Sequence, residues 1–471
     1  MALRYISTRG GMPAASFEEV LFAGLAADGG LYVPETWPTL DREHLTTLQS
    51  SSYQEVAAYV LRPFVGDDIR PDDLERLIEK AYSTFTHQAI APVKQVAAGD
   101  WVMELFHGPT LAFKDVALQL LGLLFEHFLE RRDGTITIVG ATSGDTGSAA
   151  IATTAGRAHI RTVILHPKDR VSEVQRRQMT TVESANIHNI AIEGTFDDCQ
   201  ALVKAMFNDQ AFREQQKLSA INSINWGRIM AQIVYYVTAS LSLGGPWRKV
   251  SFTVPSGNFG NVFAGYAATR MGLPIEQLIV ATNRNDILAH FFETGRYQAG
   301  EVVPTISPSM DIQVSSNFER FLFEICGRDG DRVRELMAAF AEESCFEVSE
   351  DCFGRARELM TAHRVDEAET SAMMAEIYKK TGEMIDPHTA VGFAAAKVRI
   401  GAKVGESTAP MVAFATAHPA KFPDAVEQAI GIRPTLPRHL EDLMTKPEKL
   451  SILPNDLAAV QAHIDQLPIA N

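Results

Sequence analysis

Residues 135–150 read TITIVGATSGDTGSAA. The first five are all β-branched and the sixth is glycine, which suits a buried strand. The last are small and suit a helix. Between them Thr142, Ser143, Asp145, Thr146 and Ser148 are all helix-capping types, and Gly144 and Gly147 permit tight turns. Strand, loop and helix in this order form the unit from which parallel sheets are assembled. The unit recurs along the chain. RTVILHP (161–167) precedes SEVQRRQMTTVE, NIHNIAIEG (186–194) precedes FDDCQALVKAMF, and KVSFTVP (249–255) precedes NVFAGYAATRMG. LIVATN (278–283) and MVAFAT (411–416) have the same form. The predicted fold is α/β, with parallel sheets covered by helices on both faces. In such folds ligands sit where strands open into helix N-termini.

Two of these openings are furnished for anions. In ATSGDTGSAA, backbone N–H groups and hydroxyls would point at whatever stands above the helix, which suits a carboxylate. In SGNFGNVFAG (256–265), Gly257 and Gly260 bracket Asn258 and Phe259, and a helix is expected from about Asn261. The glycines are three apart, so this is not the dinucleotide fingerprint. No Lys-Ser/Thr follows, so it is not a nucleoside-triphosphate loop. A single small phosphate is the natural guest. NSINWGR (222–228) places Asn222, Asn225 and Arg228 ahead of a long apolar helix, and an arginine fork recognises phosphate or carboxylate. FHGPTLAFKD (106–115) runs into VALQLLGLLFEHFL, a helix apolar nearly all round and therefore buried. A lysine at its start, Lys114, is costly there unless it is paired, neutralised or chemically used. The bland alternative has Lys114 reaching water with Asp115 as a loose partner.

The 471 residues suffice for two or three domains. Up to about residue 95 the pattern is mostly helical; the strand–helix core runs over 96–430; 330–385 reads as a charged helical outer layer, and 431–471 as a tail of prolines and weak helices. The net charge of −15 argues against a nucleic-acid partner. Cys199, Cys326, Cys345 and Cys352 form no CxxC pair, and no metal motif is visible. The start lacks the apolar core of a signal peptide, and the longest uncharged run, Ile229 to Trp247, reads as a buried helix rather than a membrane span. The expectation is a cytoplasmic protein; its oligomeric state is left open. His107, His388 and His418 read as structural groups.

Together, a lysine on a buried helix start, a hydroxyl-rich loop and a one-phosphate glycine loop suggest pyridoxal 5'-phosphate. Through FHGPTLAFKD, ATSGDTGSAA, NSINWGRIMAQIVYY, PSGNFGNVFAG, DPHTAVG and ATAHPAKF, and through YISTRGG and LAADGGLYVPE near the amino end, the sequence resembles the threonine synthases. These are pyridoxal-phosphate enzymes of fold type II, the tryptophan-synthase-β-like superfamily. The resemblance implies two parallel-sheet α/β subdomains within 96–430 and a family-type N-terminal domain over 1–95. It implies Lys114 as the Schiff-base lysine and Gly257, Asn258, Phe259, Gly260 and Asn261 as the cofactor's phosphate cup. Thr416 would partner the pyridine nitrogen. Ser143, Gly144, Thr146 and Gly147 would hold the substrate carboxylate, and Asp145 would approach the cofactor's 3-oxygen, where many superfamily members carry asparagine. Asn222, Arg228 and Asn258 would grip the substrate phosphate. The implied reaction turns O-phospho-L-homoserine and water into L-threonine and phosphate. The other enzymatic reading is a fold type II amino-acid dehydratase or β-replacement enzyme, which needs no second phosphate site; the non-enzymatic one is a binding protein that keeps the fold.

Overall fold

In the computed structural model, which describes residues 3–402 and 409–468, the strand–helix alternation builds two separate sheets. The chain divides into two units, Met1–His107 with Ser223–Pro434, and Gly108–Asn222 with Thr435–Asn471. Each unit owns one of these two large sheets.

The first unit carries a six-stranded sheet in the order Met360–Arg364, Ile275–Thr282, Val250–Pro255, Met411–Ala415, Asp100–Glu104, Val93–Ala97. Its pairings are parallel except at the last edge, where Val93–Ala97 runs antiparallel. One face packs Ile279, Ala281, Ala413 and Ala415 against Ala390, Val391 and Ala395 of the helix Pro387–Ala402. On the core strands Phe252 and Phe414 meet Tyr236 of the helix Trp226–Ser242 at ring-centroid distances of 4.9 and 5.0 Å. The strands VSFTVP and MVAFA are buried at every position; MVAFA is apolar throughout, and in VSFTVP the buried Thr253 hydroxyl donates to the Gly392 carbonyl at 2.9 Å. The amino-terminal part adds the short antiparallel pair Tyr5–Ser7 with Tyr32–Pro34 and the helices Tyr53–Val65 and Pro71–Tyr82.

The second unit carries five parallel strands in the order Ser451–Pro454, Ile187–Glu193, Ile160–Pro167, Ile136–Ala141, Leu218–Ser219. Val163, Leu165, Ile190 and Ile192 pack with Cys199, Leu202 and Val460, while Ile164 and Ile187 pack with Ile151 and Met179. Alternate residues of the strands thus serve opposite helical layers.

Two expectations are corrected here. Residues 330–385 are not wholly helical: Met360–Arg364 is an edge strand parallel to Ile275–Thr282, and Cys345–Glu347 pairs antiparallel with Arg296–Gln298. The strand MTAHR escapes notice because an edge strand tolerates a polar sequence. The weak tail 431–471 contains the strand Ser451–Pro454 beside Ile187–Glu193 and the helix Leu457–Asp465. Its terminal proline sits at a strand end, where a missing N–H is tolerated. Among the described residues no helix is long and apolar enough to cross a membrane, and no group of three or more potential ligands could hold a metal ion.

Candidate active site

Lys114 is the first residue of the helix Lys114–Arg132, and residues 115–125 of that helix are buried throughout. Asp115 is fully buried and its carboxylate accepts from the Thr110 N–H (2.8 Å) and hydroxyl (2.7 Å), pinning the turn before the helix. An added Cβ on Gly108 would lie 2.4 Å from Asp115 Cβ, so this turn admits only glycine there. Lys114 points to Asp145, with Nζ 3.1 Å from Oδ2 and the lysine side chain only 11 % exposed. The two helix starts meet because the helices behind them touch. An added Cβ on Gly122 would lie 2.4 Å from Thr153 Oγ1, and that hydroxyl donates to the Leu118 carbonyl at 2.6 Å. A buried ammonium beside a helix N-terminus is stable only with a partner, and Asp145 supplies it.

The loop after Ile136–Ala141 holds Asp145 in place. Thr142 Oγ1 accepts the N–H groups of Gly144 and Gly147, both at 2.9 Å. Gly144 has φ +142°, and an added Cβ would lie 2.5 Å from Gln175 Cδ. Gln175 Nε2 donates to Asp145 Oδ1 at 2.8 Å, while Ser172 donates to Gln175 Oε1 at 2.8 Å. One carboxylate oxygen is therefore committed to Gln175 and the other to Lys114. Ser143 is exposed and Thr146 half-buried at the start of the helix Asp145–Thr154, whose opening N–H groups suit a carboxylate. Asn222, also in this unit, has a buried Oδ1 with no partner among the described residues.

In the other unit, the loop 256–260 opens the helix Gly260–Arg270. The N–H groups of Gly257, Asn258, Phe259 and Gly260 meet no acceptor among the described residues. Phe259 is left-handed (φ +59°), a conformation that gathers successive N–H groups into a concave nest for an anion. An added Cβ on Gly257 would lie 2.9 Å from the Ser309 carbonyl. Asn261 is buried; its Oδ1 accepts from Tyr235 at 2.6 Å, and its Nδ2 has no acceptor among the described residues. Thr416, 6 % exposed, stands one residue past the strand Met411–Ala415.

Arg228 does not precede the apolar helix; it lies in the first turn of Trp226–Ser242, which Asn225 caps by accepting the Gly227 N–H at 2.9 Å. It is 4 % exposed, and its Nε and Nη1 have no acceptor among the described residues. Burial, partly offset by Tyr235, brings its pKa down to about 10, so the guanidinium remains charged at neutral pH. A buried, unpaired guanidinium is an anion site.

The three histidines read as structural do hold neighbours. His388 Nδ1 meets Asp386 (2.7 Å), and its Nε2 accepts the Ser309 N–H (3.2 Å). His107 contacts Glu104 at 2.8 Å, and His418 Nδ1 accepts the Ala420 N–H. Sequence reasoning missed Gln175 and Tyr235. Gln175 stands in the first turn of Glu173–Thr180, where Ser172 and Gln175 read only as a helix cap, and Tyr235 lies mid-helix with no spacing to mark it.

These features fit pyridoxal phosphate. The free nest of N–H groups, the orphaned Asn261 amide and the glycine that cannot take a side chain suit its phosphate. A shielded lysine suits its aldehyde.

Comparison with known proteins agrees. Residues 93–351 match the pyridoxal-phosphate dependent enzyme family, residues 4–82 the threonine synthase N terminus, and residues 389–464 the threonine synthase C-terminal domain. The chain is 54 % identical to a threonine synthase of Pseudomonas aeruginosa, with 98 % of each covered. Its structure is similar to that of pyridoxal-phosphate-bound threonine synthase from Brucella melitensis (TM-score 0.96, 52 % identity, 98 % of this chain and 99 % of that one). The yeast threonine synthase structure is similar too (TM-score 0.94, 40 % identity, 98 % of each chain). The chain belongs to the threonine synthase family of pyridoxal-phosphate-dependent, fold type II enzymes.

Proposed function

We propose that this enzyme converts O-phospho-L-homoserine and water into L-threonine and inorganic phosphate, in the cytoplasm, where its four thiols stay free. The observation that carries the substrate is Arg228. A cofactor phosphate occupies one anion site, the glycine loop. A second buried cation without a carboxylate partner calls for a second anion, and the γ-phosphate of the substrate is one. A dehydratase or β-replacement enzyme has no use for it.

Bound pyridoxal phosphate supplies an electron sink for the pair left when a proton leaves the substrate's Cα. The rest is work for the chain. Lys114 would hold the cofactor through Nζ and, when released from it, would move protons at the substrate's Cα, Cβ and Cγ, so one mobile amine would serve most of the steps. Asp145 would accept from the ammonium form of Lys114 through Oδ2, with Gln175 fixing Oδ1, and would share a proton with the cofactor's 3-oxygen if the two come near. Ser143 and Thr146 would receive the substrate carboxylate at the helix start, on a turn shaped by Gly144 and Gly147, whose own N–H groups serve Thr142. Gly257, Asn258, Phe259, Gly260 and Asn261 would hold the cofactor phosphate, and Thr416 would meet the ring nitrogen, which a neutral hydroxyl would leave largely unprotonated. Asn222, Asn258 and Arg228 hold the departing phosphate. Residues 1–95 form the family's N-terminal domain and 96–430 the catalytic core, followed by the segment 431–471.

The test is incubation of the purified holoenzyme with O-phospho-L-homoserine, measuring phosphate release and identifying the amino acid formed. Threonine in equal amount to phosphate supports the reading. A 2-oxo acid in its place would overturn it in favour of a dehydratase.

A further inference from the structure

Two carbonyls of the glycine loop, those of Gly257 and Asn258, are answered from one segment, residues 315–317. Ser315 Oγ donates to the Gly257 carbonyl at 2.6 Å. The Asn258 carbonyl accepts twice from Asn317, from its main-chain N–H at 3.1 Å and from Nδ2 at 2.9 Å. In a planar trans peptide the carbonyl and the following N–H point opposite ways. Pinning the carbonyls of Gly257 and Asn258 therefore turns the N–H groups of Asn258 and Phe259 to the other side, where they meet no acceptor among the described residues. Phe259 then takes its left-handed conformation, which its ring contacts with Phe318 (5.4 Å) and Phe321 (5.5 Å) stabilise.

The same asparagine reaches a second segment. Asn317 Nδ2 also donates to the Ser223 carbonyl at 3.1 Å, and its Oδ1 accepts from Arg320. Arg320, with no exposed surface, donates from Nη2 to the Ile224 carbonyl (2.6 Å) and from Nε to the Tyr32 carbonyl (2.8 Å). Ser223 and Ile224 lead directly into the cap of the helix that carries Arg228. The amide orientation is unambiguous: two carbonyls demand the donor side and a guanidinium the acceptor side. A fully buried amide and guanidinium spent wholly on main-chain carbonyls of three separate segments are costly as mere core filler.

Building on the phosphate-cup reading above, we propose that Asn317, held by Arg320, is a positioning residue that aims the N–H groups of Asn258 and Phe259 at the cofactor's phosphate and keeps the segment leading to Arg228 in register with them. It touches neither cofactor nor substrate.

The experiment compares binding of pyridoxal 5'-phosphate and of pyridoxal, which lacks the phosphate, to apoenzyme by absorbance titration. In Asn317→Asp the size and the Arg320 contact remain, but an oxygen replaces the donor facing two carbonyls. The affinity ratio of phosphorylated over unphosphorylated cofactor is expected to fall about 10- to 100-fold. The rise in melting temperature that saturating pyridoxal phosphate gives should shrink with it. Arg320→Lys, which keeps the charge but not the fork, should show a smaller fall in the same direction. A purely structural asparagine would lower apo and holo melting temperatures together and leave the ratio unchanged, and that result overturns the proposal. If Asn317→Asp is insoluble, Asn317→Ser is titrated in the same way, and an unchanged ratio there is equally fatal. A wild-type ratio near one would sink the phosphate-cup reading itself, whereas a wild-type preference that the variant preserves removes only the positioning role.

Discussion

The loop 142–148 caps itself. Thr142 satisfies the Gly144 and Gly147 N–H groups, Ser148 returns to the Gly144 carbonyl, and the buried Asp145 is held between Lys114 and Gln175. The loop 256–261 is capped from outside. Its Gly257 and Asn258 carbonyls are taken by Ser315 and Asn317, more than fifty residues along the chain, and the N–H groups of residues 257–260 meet no acceptor among the described residues. Both are strand-to-helix openings with two glycines. A self-capped loop presents side chains, and so it suits a charged partner that must move protons. An externally capped loop presents main chain, and so it suits a phosphate that must stay put.

Removing the moving part should have the largest effect. Lys114→Ala is expected to lose turnover by about a thousandfold or more, together with the visible absorbance of lysine-bound cofactor, while its melting temperature stays near that of the wild-type apoenzyme. Wild-type turnover in the purified variant, without added amine, would remove Lys114 from the chemistry. On the main-chain side, Arg228→Ala should keep bound cofactor and its spectrum yet lose about 30- to 1000-fold in kcat/KM for O-phosphohomoserine, roughly 2–4 kcal/mol of charge-assisted bonding. Exchange of the Cα proton of simple amino acids, followed by NMR in deuterated water, should change far less. Equal losses in both assays would make Arg228 structural.

Two smaller substitutions probe how the first loop is held. Gly144→Ala places a Cβ 2.5 Å from Gln175 Cδ at a positive φ, and should destabilise the protein by about 1–3 kcal/mol in denaturant titration. It should also displace Gln175 from Asp145, shifting the pH dependence of the bound cofactor's absorbance; a profile superimposable on wild type would show that Gln175 does not orient Asp145. Thr142→Val removes one acceptor from two N–H groups and should cost about 1–2 kcal/mol, with the cofactor's affinity hardly altered. A large loss of affinity there would mean the first loop is not self-sufficient.

That contrast also explains what could be read in advance. Alternating apolar strands and helices announced the two sheets, and the hydroxyls and glycines of ATSGDTGSAA announced an opening that caps itself. Asp145 as the partner of Lys114 was hidden, because the two stand 31 positions apart and are brought together by the packing of Gly122 on Thr153, a contact without a local signature. Asn317 reads in VSSNFER only as a residue before a helix; its partners lie at Asn258, Ser223 and Arg320. The strands MTAHR and SILP are short, and their pairing with Ile275–Thr282 and Ile187–Glu193 is decided by neighbours distant in sequence.

The strand Ser451–Pro454 carries a consequence for biosynthesis. It lies beside Ile187–Glu193, and Glu448 just ahead of it is gripped by Arg176 at 2.9 and 3.0 Å. A ribosome finishes the other four strands of that sheet more than two hundred residues before this one appears. Throughout that interval the nascent sheet exposes the unpaired backbone of Ile187–Glu193, an open template for another chain. The half-made protein therefore depends on chaperones or on its own later helices to shield that edge, and a stop codon before residue 451 yields a chain prone to aggregate rather than a shorter enzyme.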